Sequence, residues 1–273
     1  MPDLERPQIL LTNDDGIRSP GLWAAAEALS ALGFVTVIAP REQSSGSGRS
    51  MPSSSDGVIV EEEVEVGGKT WKVFAVGGTP AQAVQHGILE LLDRPPDLAV
   101  AGINYGENVG TGVTISGTVG AALEAGAFGV PSLAVSRETE PHQHLSYSKE
   151  VDFSAAAHFT ALFAERLLSE GRLPDVDTIK VDVPCDATAN TPWQMTRLAR
   201  IRYYEALKPQ RSRLDEPARV EYRLSSKIKD IEPGTDVHVL RFERKVSVTP
   251  LSLDITARVD MDQLGQRLGQ SET

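Results

Sequence analysis

Residues 8–40 read QILLTNDDGIRSPGLWAAAEALSALGFVTVIAP, and this stretch contains the repeating unit of most of the chain. Gln8 to Thr12 is a short apolar run that Asn13-Asp14-Asp15-Gly16 breaks. Pro20 to Leu32 follows a helical pattern, with proline near its start, apolar positions at Leu22, Ala25, Ala26 and Leu29, and Gly33 behind it. Phe34 to Ala39 is a second β-rich run, closed by Pro40. The rhythm continues downstream. Residues 79–92, Gly117 to Phe128 and Val151 to Leu168 read as helices, while Leu98 to Ala101, Ser132 to Val135 and Ile179 to Val183 read as buried strands. Strands this apolar, alternating with helices, need cover on both faces, which predicts an α/β fold with a doubly wound, mostly parallel sheet.

Two regions depart from the rhythm. Glu42 to Asp56 is rich in serine and reads as a mobile polar loop. Val58 to Val76 alternates apolar and charged residues about Gly67-Gly68, the pattern of an antiparallel hairpin, expected here outside the main sheet. Beyond Pro184 the sequence turns irregular, with strand-like runs at Val237–Leu240 and Val246–Thr249 that have no evident place in a parallel sheet. The expected organisation is one domain, with an α/β core at 7–186 and a C-terminal arm at 187–273. Strand edges left unpaired in the arm would be relieved by a second subunit, so at least a dimer is expected.

The 273 residues are 40% hydrophobic and 24% charged, the mix of a soluble globular protein. A net charge of −11 argues against a protein that coats nucleic acid, because phosphate neutralisation needs a basic surface. A small anionic substrate remains compatible, since a local cradle of N–H groups or a metal suffices. Cys185 is the only cysteine, which excludes an intramolecular disulfide and a multi-cysteine zinc site. The N-terminus does not read as a signal peptide and no apolar run is long enough to span a membrane, so a cytoplasmic location is expected.

Three motifs could carry chemistry. Asn13-Asp14-Asp15-Gly16 sits where the first strand ends, the edge at which open α/β sheets bind ligands. Adjacent carboxylates repel, and a divalent cation with oxygen ligands would relieve them; an Asx turn would equally explain the residues. The run from Ala101 to Gly112 leaves the same sheet edge with four glycines and the amides Asn104 and Asn108. Asn104 could offer an oxygen to a metal and Asn108 an N–H to a phosphate, or both could simply occupy turns. Ser116-Gly117-Thr118 opens a helix, where free N–H groups favour an anion, although a plain N-cap accounts for it too. It lacks the lysine of a Walker loop and the position of a dinucleotide fingerprint. Thr79-Pro80 repeats the cap reading. His142 and His144 lie in a polar loop, His86, His158 and His238 fall on element patterns, and the three tryptophans suit a core or an interface.

Taken together, ILLTNDDGIRSPG at 9–21, VIAPREQSSGSGRS at 37–50, GGTPA at 77–81, AGINYGENVGTGVTISGTVGAALEA at 101–125 and VSVTPL at 246–251 resemble the SurE (survival protein E) family of metal-dependent 5′/3′-nucleotidases. The motifs run in family order over nearly the whole chain. The resemblance implies a Rossmann-like core, a C-terminal arm used in oligomerisation to a homodimer or homotetramer, and one divalent cation per subunit, Mg²⁺ or Mn²⁺. Its metal ligands fall on Asp14, Asp15, Asn104 and the loop serine five residues after Pro40, which is Ser45, with Ser44 its near neighbour. Asn108, Ser116, Gly117 and Thr118 would line the phosphate pocket. The implied activity is hydrolysis of nucleoside monophosphates, with short polyphosphate as a further substrate. Asp14 and Asp15 would be the catalytic residues, and Asp15 the base or nucleophile-positioning group. A sugar-phosphate phosphatase and a non-catalytic nucleotide or phosphate sensor are the alternatives. Three departures stand out: Ile115 where the family usually has an aromatic residue, Gln82 where it usually has Asp, and Glu243-Arg244-Lys245 where it usually has Gly-Tyr. Without an aromatic face at 115, base discrimination is expected to be poor.

Overall fold

In the computed structural model, which describes residues 6–140, 143 and 150–270, the first strand β1 (Gln8–Thr12) is buried on both sides. Successive side chains of a strand point to opposite faces. Ile9 and Leu11 accordingly join one core cluster, and Leu10 joins a second. Strand β5 (Leu98–Tyr105) divides in the same way, with Leu98 and Val100 in the first cluster and Ala99 and Ala101 in the second. Helices α1 (Pro20–Leu29) and α4 (Ser154–Glu170) cover the first core. Helices α2 (Pro80–His86) and α3 (Gly117–Ala127) cover the other. Gly21 lets α1 lie directly on β5, since a Cβ there would sit 2.1 Å from the Ile103 carbonyl oxygen.

The other strands are β2 (Phe34–Pro40), β3 (Ile59–Val66), β4 (Lys69–Val76), β6 (Ser132–Arg137), β7 (Thr178–Val183), β8 (Trp193–Met195), β9 (Tyr204–Ala206), β10 (Tyr222–Leu224) and β11 (Val246–Leu251). Among the described residues, nine form one sheet in the order β3-β4-β2-β1-β5-β6-β7-β11-β8. Parallel pairing runs unbroken from β4 to β7. The chain leaves β1 for β2 on one side and resumes with β5 on the other, so a crevice opens between the C-terminal ends of β1 and β5. The doubly wound α/β expectation is met.

Three expectations about the less regular segments need correction. Residues 58–76 do form an antiparallel hairpin, but it is not outside the main sheet: β4 pairs in parallel with β2 from Val37↔Val73 to Pro40↔Val76. The inner end of β2 is fully buried, and the hairpin supplies its cover while Lys69 to Lys72 project beyond the pairing. The strand-like run at 246–249 does have a place in the sheet, because β11 adds antiparallel to β7 and then takes β8 alongside. A rhythm of parallel units carries no sign of such a reversal. The run at 237–240 is helix α5 (Asp236–Arg241), started by the Thr235 hydroxyl, which accepts from the His238 N–H. A four-residue apolar run fits helix or strand equally, and here the cap decides. A separate antiparallel ladder does exist, formed by β9 and β10 in the C-terminal region. Helix α6 (Met261–Arg267), capped by Asp260, was not anticipated.

A buried ion network joins the returning segment to the core. Lys180 of β7 is fully buried with its Nζ on Asp182 of the same strand and 3.3 Å from Asp236 of α5. Burial works against its charge, but the two carboxylates outweigh it and raise the lysine pKa further. Asp236 also accepts from the N–H groups of Gly110 at 2.9 Å and Ala199 at 2.8 Å, and Asp182 accepts from the Asn108 N–H at 2.8 Å. Removing one partner of a buried pair strands the other's charge, so Lys180→Met is expected to cost about 3–5 kcal/mol of stability. Urea denaturation of the two proteins, with unchanged m-values, measures it.

Candidate active site

The turn after β1 is built by Asn13, whose side chain donates to the Gly16 carbonyl at 3.1 Å and accepts from the Gly16 N–H at 3.2 Å. Gly16 has φ 96°, and Ile17 N–H reaches the Pro40 carbonyl of the neighbouring strand. The Asx turn is therefore real, and it frees Asp14 and Asp15 for other work. Both are almost completely buried.

Asp14 meets the start of α3. The Thr118 hydroxyl donates to Asp14 Oδ1, and the N–H groups of Gly117 and Thr118 hydrogen-bond the same carboxylate. Gly117 is required here, because a Cβ would stand 2.7 Å from Asp14 Cβ and 2.8 Å from its Oδ2. The helix N-terminus read as an anion cradle thus already faces a protein carboxylate. Ser116 is the N-cap, its Oγ accepting from Val119 N–H at 3.1 Å, with its own hydroxyl hydrogen left to donate. Asp15 turns to the β5 side: Oδ2 accepts from Tyr105 N–H at 3.2 Å and Oδ1 from Gln43 Nε2 at 3.1 Å. Beside it, the Asn104 amide nitrogen donates to the carbonyls of Tyr105 and Gly106. That leaves Asn104 Oδ1 on the opposite side of the amide.

Burial raises the pKa of Asp14 against the opposing hydrogen bonds, and burial followed by the Asp14 charge raises that of Asp15 well above its usual range. Two crowded carboxylates, one amide oxygen and nearby hydroxyls form an all-oxygen donor set. One hydroxyl matters especially. Ser47 Oγ is buried with no hydrogen-bond partner among the described residues and would lie 2.9 Å from a Cβ on Gly117, against the same spot as Asp14. An orphaned buried hydroxyl beside mutually repelling carboxylates fits a hard divalent cation.

The site residues read from sequence are therefore not all together. Asp14, Asp15, Asn104, Gly117 and Thr118 converge. Ser45 is exposed on the rim, beside Ser44, whose N–H donates to the Asp14 carbonyl at 2.7 Å. Asn108 turns toward the next strand, its amide donating to Ser136 Oγ at 2.8 Å. Ser47 and Gln43 were missed. Ser47 did carry a signal, since Gly46 and Gly48 flank it and both take positive φ. The serine-rich loop, read as mobile, is tied to the site: Gly48 N–H donates to the Ile115 carbonyl at 3.0 Å, and Arg49 pairs with the buried Glu124. Gln82 has a structural use in the capping box of α2 and accepts from Ser55 at 2.6 Å. His86 and His238 contact Glu90 and Glu243, as expected of structural histidines, and His142 and His144 lie outside the described residues.

A second polar cluster lies at the ends of β6 and β7. Glu138 binds Arg241 and Arg244, and Arg244 also holds Asp186. The Glu138, Asp186 and Cys185 ligand atoms are close enough for a metal, but the guanidinium groups already supply the positive charge. Burial, followed by Glu138, raises the Cys185 thiol pKa, so it is not an activated nucleophile.

The fold and this geometry define a class: a doubly wound α/β protein whose switch point holds a buried carboxylate pair at a helix N-terminus. A family model described as survival protein SurE matches residues 9–205. A 5′-nucleotidase SurE of Thermococcus gammatolerans is 45% identical, covering 94% of this chain and 94% of its own. One from Archaeoglobus fulgidus is 44% identical, over 93% of this chain and 95% of its own. The crystal structure of the SurE protein from Aquifex aeolicus aligns with a TM-score of 0.75 at 29% identity, covering 96% of this chain and 100% of that one. The chain belongs to the SurE family.

Two outcomes are expected of single variants. Ile115 is 64% exposed, so it is not a core residue, and Ile115→Tyr should change stability by less than about 0.5 kcal/mol in a melting experiment. For Glu138, burial raises the carboxyl, but hydrogen bonds from Arg244, the Cys185 N–H and Arg241 prevail and hold it at about 2 against 4.5. A depressed acid stabilises the fold above its unfolded value and loses that contribution as pH falls through the folded one. The melting-temperature gap between the parent protein and Glu138→Gln should thus be widest above pH 4.5 and close toward pH 2.

Proposed function

We propose that this chain is a metal-dependent phosphomonoesterase that releases phosphate from nucleoside monophosphates, a 5′-nucleotidase with 3′-nucleotide and short-polyphosphate activity as extensions. The observation that carries the reading is the buried Asp14–Asp15 pair held between the α3 N-terminus and the end of β5. The names of the relatives, 5′-nucleotidases aligned over nearly their full length, support it. Asp14, Asp15 and Asn104 would hold one Mg²⁺ or Mn²⁺ ion, with a serine of the 44–47 loop as the fourth ligand. Ser45 is the family position, and Ser47 is the hydroxyl already buried beside Asp14. When bound, such a cation supplies Lewis-acid stabilisation of phosphoryl charge.

The protein's own groups have separable tasks. Thr118 and the α3 amides fix Asp14, so its carboxylate does not reorganise during reaction. Asp15, divided between Gln43 and Tyr105 N–H, is assigned to orient the attacking water and accept its proton. The Ser116 hydroxyl and the second amide hydrogen of Asn108 remain to hold phosphoryl oxygens. A homodimer or homotetramer is the proposed assembly, supported by apolar side chains exposed near the C-terminus, among them Ile255, Met261 and Leu268. No helix among the described residues is long and apolar enough to cross a membrane. The proposed setting is the cytoplasm.

A phosphate-release panel of nucleotides, polyphosphates and sugar phosphates, with Mn²⁺ or EDTA, tests the reading. Release from nucleoside monophosphates with Mn²⁺, abolished by EDTA, is expected. Release confined to sugar phosphates, or none at all, overturns it. Purine and pyrimidine monophosphates should differ in kcat/KM by no more than about tenfold, roughly 1.4 kcal/mol in the transition state. Asp14→Asn keeps an acceptor for Thr118 but removes a repelling charge. It should eliminate metal-dependent turnover while the metal-free protein melts no lower than the parent.

A further inference from the structure

A cavity of about 520 Å³ lies at the C-terminal ends of β5, β6 and β7, lined in part by Glu107, Thr139, Tyr203, Tyr204, Leu224 and Arg241. That volume lies within the range of small-molecule sites. Glu107 and Asn108 are consecutive, so the cavity begins one residue from a proposed phosphate-binding group. Strands β1 and β6 are two places apart in the sheet, about 10 Å at ordinary strand spacing.

The chemistry of the lining restricts the occupant. Its arginines are engaged: Arg241 and Arg244 by Glu138, Arg244 again by Asp186, and Arg137 by the carbonyls of Glu138 and Cys185. A second phosphate would therefore find no free cation among them. The remaining polar groups are of another kind. Thr139 Oγ1 is buried with no hydrogen-bond partner among the described residues, and the buried Glu107 carboxyl is met by the hydroxyls of Tyr203 and Tyr204 rather than by a cation. A buried hydroxyl is seldom left without a partner unless something else binds it. The two tyrosines pack edge-on, with Tyr204 OH donating to Glu107 Oε1 at 2.8 Å, and Leu224 adds an aliphatic wall at the rim. Aromatic and aliphatic surface beside a carboxyl and hydroxyls suits a flat, uncharged ring system bearing its own hydroxyls.

We propose that this cavity binds the nucleoside moiety of the substrate, with Glu107 hydrogen-bonding ribose or base and the Tyr203–Tyr204–Leu224 surface receiving the ring. The inference rests on the nucleotidase reading. It puts the base on the β6–β7 side of the crevice, away from Ile115, which lies on the α3 side.

Adenosine, which carries no phosphate, separates the two readings, because its binding can be followed by calorimetry in EDTA. The parent protein and Asp14→Asn should both bind it, and Glu107→Gln and Leu224→Trp should weaken it at least tenfold. The same two variants should lower the ratio of kcat/KM for AMP over that for p-nitrophenyl phosphate at least tenfold, with melting temperatures within a few degrees of the parent. Leu224 is at the rim, so Leu224→Trp blocks the cavity even if Glu107→Gln disturbs local packing. Adenosine binding insensitive to both variants overturns the proposal. So does an equal loss on both substrates, or a dependence on Ile115→Ala instead. If adenosine binds in this pattern but no nucleotide is hydrolysed, the cavity assignment stands and the nucleotidase reading falls.

Discussion

The structure depends on what the Lys180 charge is paired with. Its ammonium group is fully buried and lies between Asp182 of the core sheet and Asp236 of the returning C-terminal segment. An ammonium group in such surroundings is tolerable only with carboxylates at hand. Each carboxylate in turn needs N–H donors, and these come from Asn108, Gly110 and Ala199. One charge therefore fixes three otherwise independent pieces: the strand, the glycine-rich loop after β5, and α5. Asn108 and Glu107 sit in that loop, so the proposed phosphate and nucleoside contacts are both positioned by a network with no part in the chemistry.

The candidate site is a local conflict that the fold sustains. Aspartates 14 and 15 are held buried and close together, where burial raises the cost of ionising both and the Asp14 charge adds to that of Asp15. Hydrogen bonds from Thr118, Gln43 and two backbone segments limit that cost without removing it. Gly117 does the corresponding work in space, since any side chain there would displace Asp14. A site whose charge is incompletely balanced by its own protein is prepared for a cation.

Legibility from sequence followed how local the determining interaction was. The strand–helix units of the first two-thirds could be read because burial on both faces leaves continuous apolar runs. The convergence of Asp14, Asp15, Gly117 and Thr118 at one sheet edge could be read because sheet-edge turns and helix starts are set within a few residues. The choice among Ser44, Ser45 and Ser47 was not local: it turns on how the loop docks against Ile115 and α3. Asn108 was read as a phosphate donor; one of its amide hydrogens goes to Ser136 on another strand, which leaves only the second for that task. The reversal at β11 was equally hidden, because a buried apolar run looks the same in either direction. Glu107 gave only a faint sign, a carboxylate between Gly106 and Asn108. Its meaning depends on tyrosines nearly a hundred positions away.

The sheet order also constrains how the chain is made. Strand β8 is held in the sheet by β11, which follows it by some fifty residues and inserts between it and β7. During synthesis the parallel strands through β7 can assemble as they emerge from the ribosome, but the far edge of the sheet has to wait for residues 246–251. Until then β7 is an open edge, and until residue 236 has been made Lys180 and Asp182 lack Asp236. Non-local pairing of this kind is slow and leaves an intermediate prone to association. The time taken to make the stretch between β8 and β11 therefore sets how long that edge stays open.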